Sequence, residues 1–112
     1  MISGTHIVLY STNADADRAF FRDTLGFHHV DAGHGWLIFA LPPAEAAIHP
    51  AEAAKHEFYF MCDDLKSELA ALTKKGVTFS PIEEARWGSI TKLHLPSGVE
   101  IGLYQPKHKT AI

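Results

Sequence analysis

The chain uses one structural plan twice. Its first half opens at Thr5–Tyr10, where Ile7 and Leu9 alternate with His6, Val8 and Tyr10, as in a strand packed on both faces. Ser11, Thr12 and Asn13 then offer helix caps, and Asp15 and Asp17 suit the positive end of a helix. Ala16, Ala19 and Phe20 give that helix an apolar stripe, and Gly26 ends it. Short strands follow at Phe27–Asp31, Trp36–Leu41 and Ala46–His49, separated by the Gly33–Gly35 turn and the Pro42–Pro43 break and closed by Pro50. The second half repeats the order. Glu57–Cys62 reads as a strand, Asp63 or Asp64 as a cap, and Leu65, Leu69 and Leu72 as the buried stripe of a helix ended by Gly76. Strands at Val77–Ser80, Ile90–Leu95 and Val99–Tyr104 complete it, with turns at Trp87-Gly88 and Pro96-Ser97-Gly98. Gly26 stands 20 residues after His6 and Gly76 stands 19 after Glu57. A period of about 50 residues marks an internal repeat of β-α-β-β-β order.

The repeat bounds the fold. At 112 residues the chain has room for about one hydrophobic core. The expected class is α+β: a single domain over 1–112 made of two βαβββ modules, about 3–50 and about 56–106, with a tail at 107–112. Each module makes a sheet with its helix on one face. The helices then lie outside, and the opposite face forms a cupped mixed β-sheet in which function should sit.

Charge and apolar patterning remove several classes of partner. The net charge of −3 is spread along the chain, and no Lys/Arg run supplies the footprint that nucleic acid or an anionic membrane would need. The longest apolar run, Trp36–Leu41, is far shorter than the roughly 20 residues of a membrane-spanning helix. The only cysteine, Cys62, and a start that lacks a basic leader fit a reducing cytoplasm. Of the eight histidines, His28, His29, His34 and His108 fall near turns, element ends or the tail and read as surface residues.

Alternation decides which side chains reach the open face. If Ile7 and Leu9, Phe58 and Phe60, and Val99, Ile101 and Leu103 pack toward the helices, their neighbours face the cup. Those neighbours are His6, Val8 and Tyr10; Glu57, Tyr59 and Met61; and Glu100, Gly102 and Tyr104, with His49 added from the short fourth strand. Two imidazoles and two carboxylates among aromatic residues suit a divalent metal such as Fe, Mn, Zn, Ni or Co. The plainer readings are a hydrogen-bonded core or rim position for His6, a solvent-facing strand end for His49, a solvated strand mouth for Glu100, and a core role for the aromatic residues.

Four features carry a family resemblance: the opening strand His6-Ile-Val-Leu-Tyr, the helix ending Phe20-Phe21-Arg-Asp-Thr-Leu-Gly26-Phe27, the Asp63-Asp64-Leu65 helix start, and Pro96-Ser97-Gly98 before the last strand. In order and spacing the chain resembles the vicinal-oxygen-chelate superfamily of glyoxalases, bleomycin-resistance proteins and dioxygenases, which is built from paired βαβββ modules. The resemblance implies that metal-using members take one ligand from the first and one from the last strand of each module. Carried over, these positions are His6, His49 and Glu57. The fourth, usually a glutamate, falls on Gly102. Glu100 lies on the same face, roughly 6–7 Å away along the strand.

The leading expectation is a metal-dependent enzyme of the glyoxalase or dioxygenase kind acting on a small oxygen-rich molecule, with His6, His49 and Glu57 as ligands and Glu100 as base or distant ligand. The alternative is a metal-free, bleomycin-resistance-like binder of a small molecule or antibiotic, with Tyr10, Trp36, Tyr59, Met61, Trp87 and Tyr104 as the substrate-contacting walls. A third is a degenerate module without catalysis. The resemblance also implies a homodimer that closes the open face.

Overall fold

The computed structural model describes residues 7, 9, 11–45, 47, 52–53 and 56–109. The expected strands at Thr5–Tyr10 and Ala46–His49, and with them His6, Tyr10 and His49, lie outside the described residues, Ile7, Leu9 and Ala47 excepted.

The second half has the full plan. Its strands are β3 (Tyr59–Met61), β4 (Glu83–Glu84), β5 (Gly88–His94) and β6 (Glu100–Pro106), in the order β3-β6-β5-β4. The β3–β6 pair is parallel and the others antiparallel, which gives a mixed sheet. Helix α2 (Leu65–Lys74) starts at Asp64, whose carboxylate accepts from the Ser67 backbone N–H at 3.2 Å. Leu65, Leu69 and Leu72 are buried on its inner side. They pack with Leu93 and Leu95 of the β5 side and with Ile101 and Leu103 of β6, so odd-numbered positions of the hairpin make the core. The chain leaves α2 through Gly76, at φ +82°, a left-handed turn that suits a residue without Cβ.

Two expectations for this half are corrected. Val77–Ser80 is not a continuous strand: Phe79 makes an isolated bridge to Leu93, and the ladder resumes only at Glu83–Glu84. Val77 is drawn into the core beneath α2, and Pro81 cannot donate to a ladder, so pairing lapses there. Gly88 is not in the turn but starts β5. A side chain at 88 would sit 2.8 Å from the Gln105 carbonyl oxygen, and only glycine lets β5 pair so closely with β6 there.

In the first half, α1 (Ala14–Ala19) is capped by Asn13, whose side chain accepts from the Ala16 N–H at 3.3 Å. The helix then widens into a π-helical segment, Phe20–Thr24. The extra residue per turn carries both Phe20 and Phe21 into the core, whereas the sequence pattern assigned only Phe20 to the stripe. Strands β1 (His29–Asp31) and β2 (Leu37–Phe39) pair antiparallel across the Gly33–Gly35 turn. Phe21 meets Phe27, Phe39 and Phe60 at centroid distances of 5.4–6.1 Å, which joins the two halves in one aromatic core. Ile7 and Leu9, expected against a helix, are 43% and 39% exposed; no element among the described residues covers them.

One polar contact also joins the halves. Asp17, expected at the positive end of the first helix, is buried, and its carboxylate accepts from the Ser97 N–H at 3.1 Å and the Ser97 hydroxyl at 2.6 Å. Pro96-Ser97-Gly98 is therefore a docking point for α1 as well as a turn. Among the described residues no helix is long and apolar enough to cross a membrane.

Candidate functional site

The open face of the second sheet follows from its register. Tyr59 stands beside Gly102 and Met61 beside Tyr104. Across β5, Ile90 is paired with Tyr104, Lys92 with Gly102 and His94 with Glu100. Trp87 sits just ahead of β5 and leans over the same rungs. Tyr59, Trp87 and Tyr104 form a closed triad, with centroids 5.1–5.7 Å apart and rings tilted 69–82° in the edge-to-face manner that aromatic quadrupoles favour.

Two glycines make room for the triad. The Tyr59 ring lies against the backbone of Gly102, where any Cβ would fall inside the ring. At Gly88 a Cβ would come within 2.9 Å of Cδ2 of Tyr104. Carboxylates hold the phenols. Tyr59 donates to Glu57 at 2.6 Å, and Tyr104 donates to Glu45 at 3.4 Å and lies 3.4 Å from Nε2 of His108. Burial, then the Glu57 hydrogen bond and the charges of Glu57 and Glu83, push the Tyr59 hydroxyl up to about 12. Burial, then the charge of Glu45 and its hydrogen bond, also raise Tyr104. Both hydroxyls stay protonated donors at neutral pH.

The triad lines an open cleft of about 2600 Å³, to which Phe39, Leu41 and Glu45 contribute from the first half. Small-molecule pockets usually enclose roughly 300–1,000 Å³. At that size the hollow is an open cleft and not an enclosed pocket.

The structure brings Tyr59, Met61, Trp87 and Tyr104 together, with Glu57 beside them, and all line the cleft. Trp36 lines it too, 65% exposed, with the Arg18 guanidinium 4.8 Å from its ring centroid. Glu100 is on the open face as its register requires, but outside the cleft lining: its carboxylate faces Nε2 of His94 at 3.4 Å, and Nδ1 of His94 meets the Thr78 hydroxyl at 3.0 Å. Sequence reasoning missed His94, although hairpin symmetry about Pro96-Ser97-Gly98 sets it opposite Glu100. It missed Glu45, which reaches Tyr104 from another module. His108 is exposed as expected, and its ring lies 6.1 Å from that of Tyr104 and 3.9 Å from Glu45.

The second module offers one side-chain donor, Glu57, where the resemblance calls for two. The position where the resemblance calls for a last-strand carboxylate is Gly102, roofed by the Tyr59 ring. The carboxylate at the other position, Glu57, accepts the Tyr59 hydroxyl on one oxygen. Among the described residues no three His, Cys, Asp or Glu side chains converge as a ligand set.

No protein-family model matches the sequence, and no curated protein matches it significantly. Solved structures are. TnmS3, an antibiotic binding protein from Streptomyces sp. CB03234, is 22% identical, with a TM-score of 0.67 over 96% of this chain and 100% of that one. A glyoxalase/bleomycin resistance protein/dioxygenase superfamily member from Sphaerobacter thermophilus is 24% identical, with a TM-score of 0.62 over 93% and 98%. A lactoylglutathione lyase from Agrobacterium tumefaciens is 18% identical, with a TM-score of 0.64 over 92% of each chain. Together with the β3-β6-β5-β4 order of the second module, these likenesses give the chain the vicinal-oxygen-chelate fold of the glyoxalase/bleomycin resistance protein/dioxygenase superfamily.

Proposed function

We propose that this protein binds a small planar molecule in the cleft between its halves, against Tyr59, Trp87 and Tyr104, and does so without a metal ion. The observation that carries the reading is the Tyr59 ring on the Gly102 backbone. It puts an aromatic surface where a metal-using arrangement needs an oxygen donor. Apolar walls with a few placed hydroxyls and carboxylates are the usual makeup of a ligand site. That an antibiotic binding protein shares the fold over its full length supports the same reading. A second copy of the chain completes the site in this proposal, because the cleft is larger than one small ligand fills and Ile7 and Leu9 are exposed.

The enzyme reading rests on His6 and His49, at the first- and last-strand positions of the first module, and on the fold shared with a lyase. With Glu57 they would hold Fe, Mn, Zn, Ni or Co, which supplies Lewis-acid stabilisation of a substrate oxyanion when bound. One experiment separates the two. Protein purified without chelators is analysed for metals, and its thermal midpoint is followed with each of the five ions, for wild type, His6→Ala and His49→Ala. The binder reading expects no stoichiometric metal and no ion-dependent shift. Near one metal per chain, lost in both variants, would overturn it.

A further inference from the structure

We infer that Thr78, His94 and Glu100 form a second site, a hydrolytic one, in which the Thr78 hydroxyl attacks a small activated carboxylic ester and is transiently acylated. Register puts the three groups together. Phe79 bridges Leu93 and the His94 N–H donates to the Thr78 carbonyl at 3.0 Å, so Thr78 stands beside His94, and the β5–β6 ladder sets Glu100 on the other side of His94. One rung across three neighbouring segments thus carries a hydroxyl, an imidazole and a carboxylate on backbone that hydrogen bonds hold in place. The Thr78 hydroxyl lies 3.0 Å from Nδ1 of His94, and Nε2 of the same ring lies 3.4 Å from the Glu100 carboxylate. That is the order of nucleophile, base and orienting acid.

The carboxylate sets the direction of the proton. A carboxylate has no hydrogen to give, so Glu100 favours the tautomer with hydrogen on Nε2, and Nδ1 is left bare to accept the Thr78 proton. All three side chains are exposed, so a substrate can reach the hydroxyl. Beside them is a hollow of about 370 Å³, lined by Thr78 and His94, by the apolar Phe20, Val77 and Leu95, and by Lys75. Small-molecule sites run from roughly 300 to 1,000 Å³. The apolar walls suit a short acyl chain, and the positive charge of Lys75 borders the space where an oxyanion would form. None of Thr78, His94 and Glu100 lines the aromatic cleft, so this activity stands apart from ligand binding there.

The chemistry needs only the ester and water. As Oγ1 of Thr78 bonds to the carbonyl carbon, its proton passes to Nδ1; the carbonyl re-forms as the ester C–O bond breaks, and the leaving oxygen takes that proton. Water then adds to the acyl-threonine with its proton moving through the same imidazole, the carboxylic acid departs, and Oγ1 regains its hydrogen. Nothing is oxidised or reduced.

The probe is p-nitrophenyl acetate. Wild type, Thr78→Val, Thr78→Ser, His94→Gln and Glu100→Gln, each shown folded by circular dichroism, are followed for p-nitrophenol release, and samples quenched in acid are mapped by peptide mass spectrometry. Wild type should carry an acetyl group on Thr78, Thr78→Ser should carry it at the same position, and Thr78→Val should not. His94→Gln should slow acylation about 100-fold or more, the usual contribution of a general base. Glu100→Gln should lower kcat about tenfold with KM kept within about twofold, as expected of a positioning residue that acts through His94. Acetyl groups on histidine or lysine alone, or release unchanged in Thr78→Val, would overturn the inference. So would acylation of Thr78 at an unchanged rate in His94→Gln.

Discussion

The contact between Asp17 and Ser97 should be the most expensive polar interaction to remove. Asp17 is 9% exposed, and its two oxygens accept from the Ser97 N–H at 3.1 Å and hydroxyl at 2.6 Å. Hydrogen bonds to a charged group each contribute about 1.5–3 kcal/mol. Two would sum to about 3–6 kcal/mol, but Ser97 is only half-buried, so water recovers part of the loss. Desolvation of the carboxylate is also relieved when it is deleted. Asp17→Ala should therefore cost about 2–4 kcal/mol, a drop of about 8–16 °C in thermal midpoint for a domain of this size. Ser97→Ala should cost less, about 1–2 kcal/mol. It leaves the backbone donor to Asp17 but also removes the acceptor for the Val99 N–H at 3.3 Å. The double variant, unfolded in urea beside the two singles, should be less destabilised than their sum, with a coupling of about 1 kcal/mol or more. A cost below about 0.5 kcal/mol for Asp17→Ala, or strict additivity, would refute the view that this contact ties the halves together.

Gly102→Ala drives a methyl group into the Tyr59 ring and should cost about 1–3 kcal/mol in urea unfolding, with a changed Trp87 fluorescence as the triad re-forms. Because the fold raises Tyr59 from the ordinary phenol value of 10.0 to about 12, it favours the neutral form; that stability is complete below pH 10 and is lost as pH rises through 12. Wild type should lose stability relative to Tyr59→Phe across that window, and in the folded protein the absorbance of tyrosinate at Tyr59 should develop only near its top. Glu100→Gln should leave affinity for a planar aromatic probe such as acridone within about twofold while Glu57→Gln changes it, since Glu100 faces His94 outside the cleft and Glu57 sits at the triad; calorimetry checks both. Sedimentation at micromolar concentration should give a species of twice the 12.3 kDa chain mass, and a monomer alone would count against the dimer.

The fold was legible where one periodicity governed a stretch of chain. The stripe of Leu65, Leu69 and Leu72, and the alternation that put Phe58 and Phe60 on one face and Tyr59 and Met61 on the other, required only local sterics and burial. Phase along β6 was legible for the same reason. What was not legible depends on non-local partners. Nothing near Asp17 in sequence indicates that Ser97, 80 residues on, will bury it. The π-helical turn that admits Phe21 to the core is a response to packing against Phe39 and Phe60, which no propensity encodes. Gly102 could be read only as a missing carboxylate until Tyr59 was seen lying on it.

Two glutamates on one face show how register sets chemistry. Glu100 and Tyr104 stand four residues apart on β6, about 13 Å at 3.3 Å per residue. At one end, the hairpin turn brings His94 opposite Glu100, and Thr78 on the other side of His94 completes a row of hydrogen-bonding side chains that satisfy one another. At the other end, glycine at 88 and 102 removes two side chains, and the space is taken by aromatic rings whose hydroxyls orient Glu57 and Glu45. The polar row lies outside the cleft lining, whereas the aromatic end lines it. Exchanging the residues at 100 and 102 would therefore not move a carboxylate from one site to an equivalent one. It would leave His94 without its partner and force Tyr59 off the sheet, so the same composition would lose both the closed row and the binding surface.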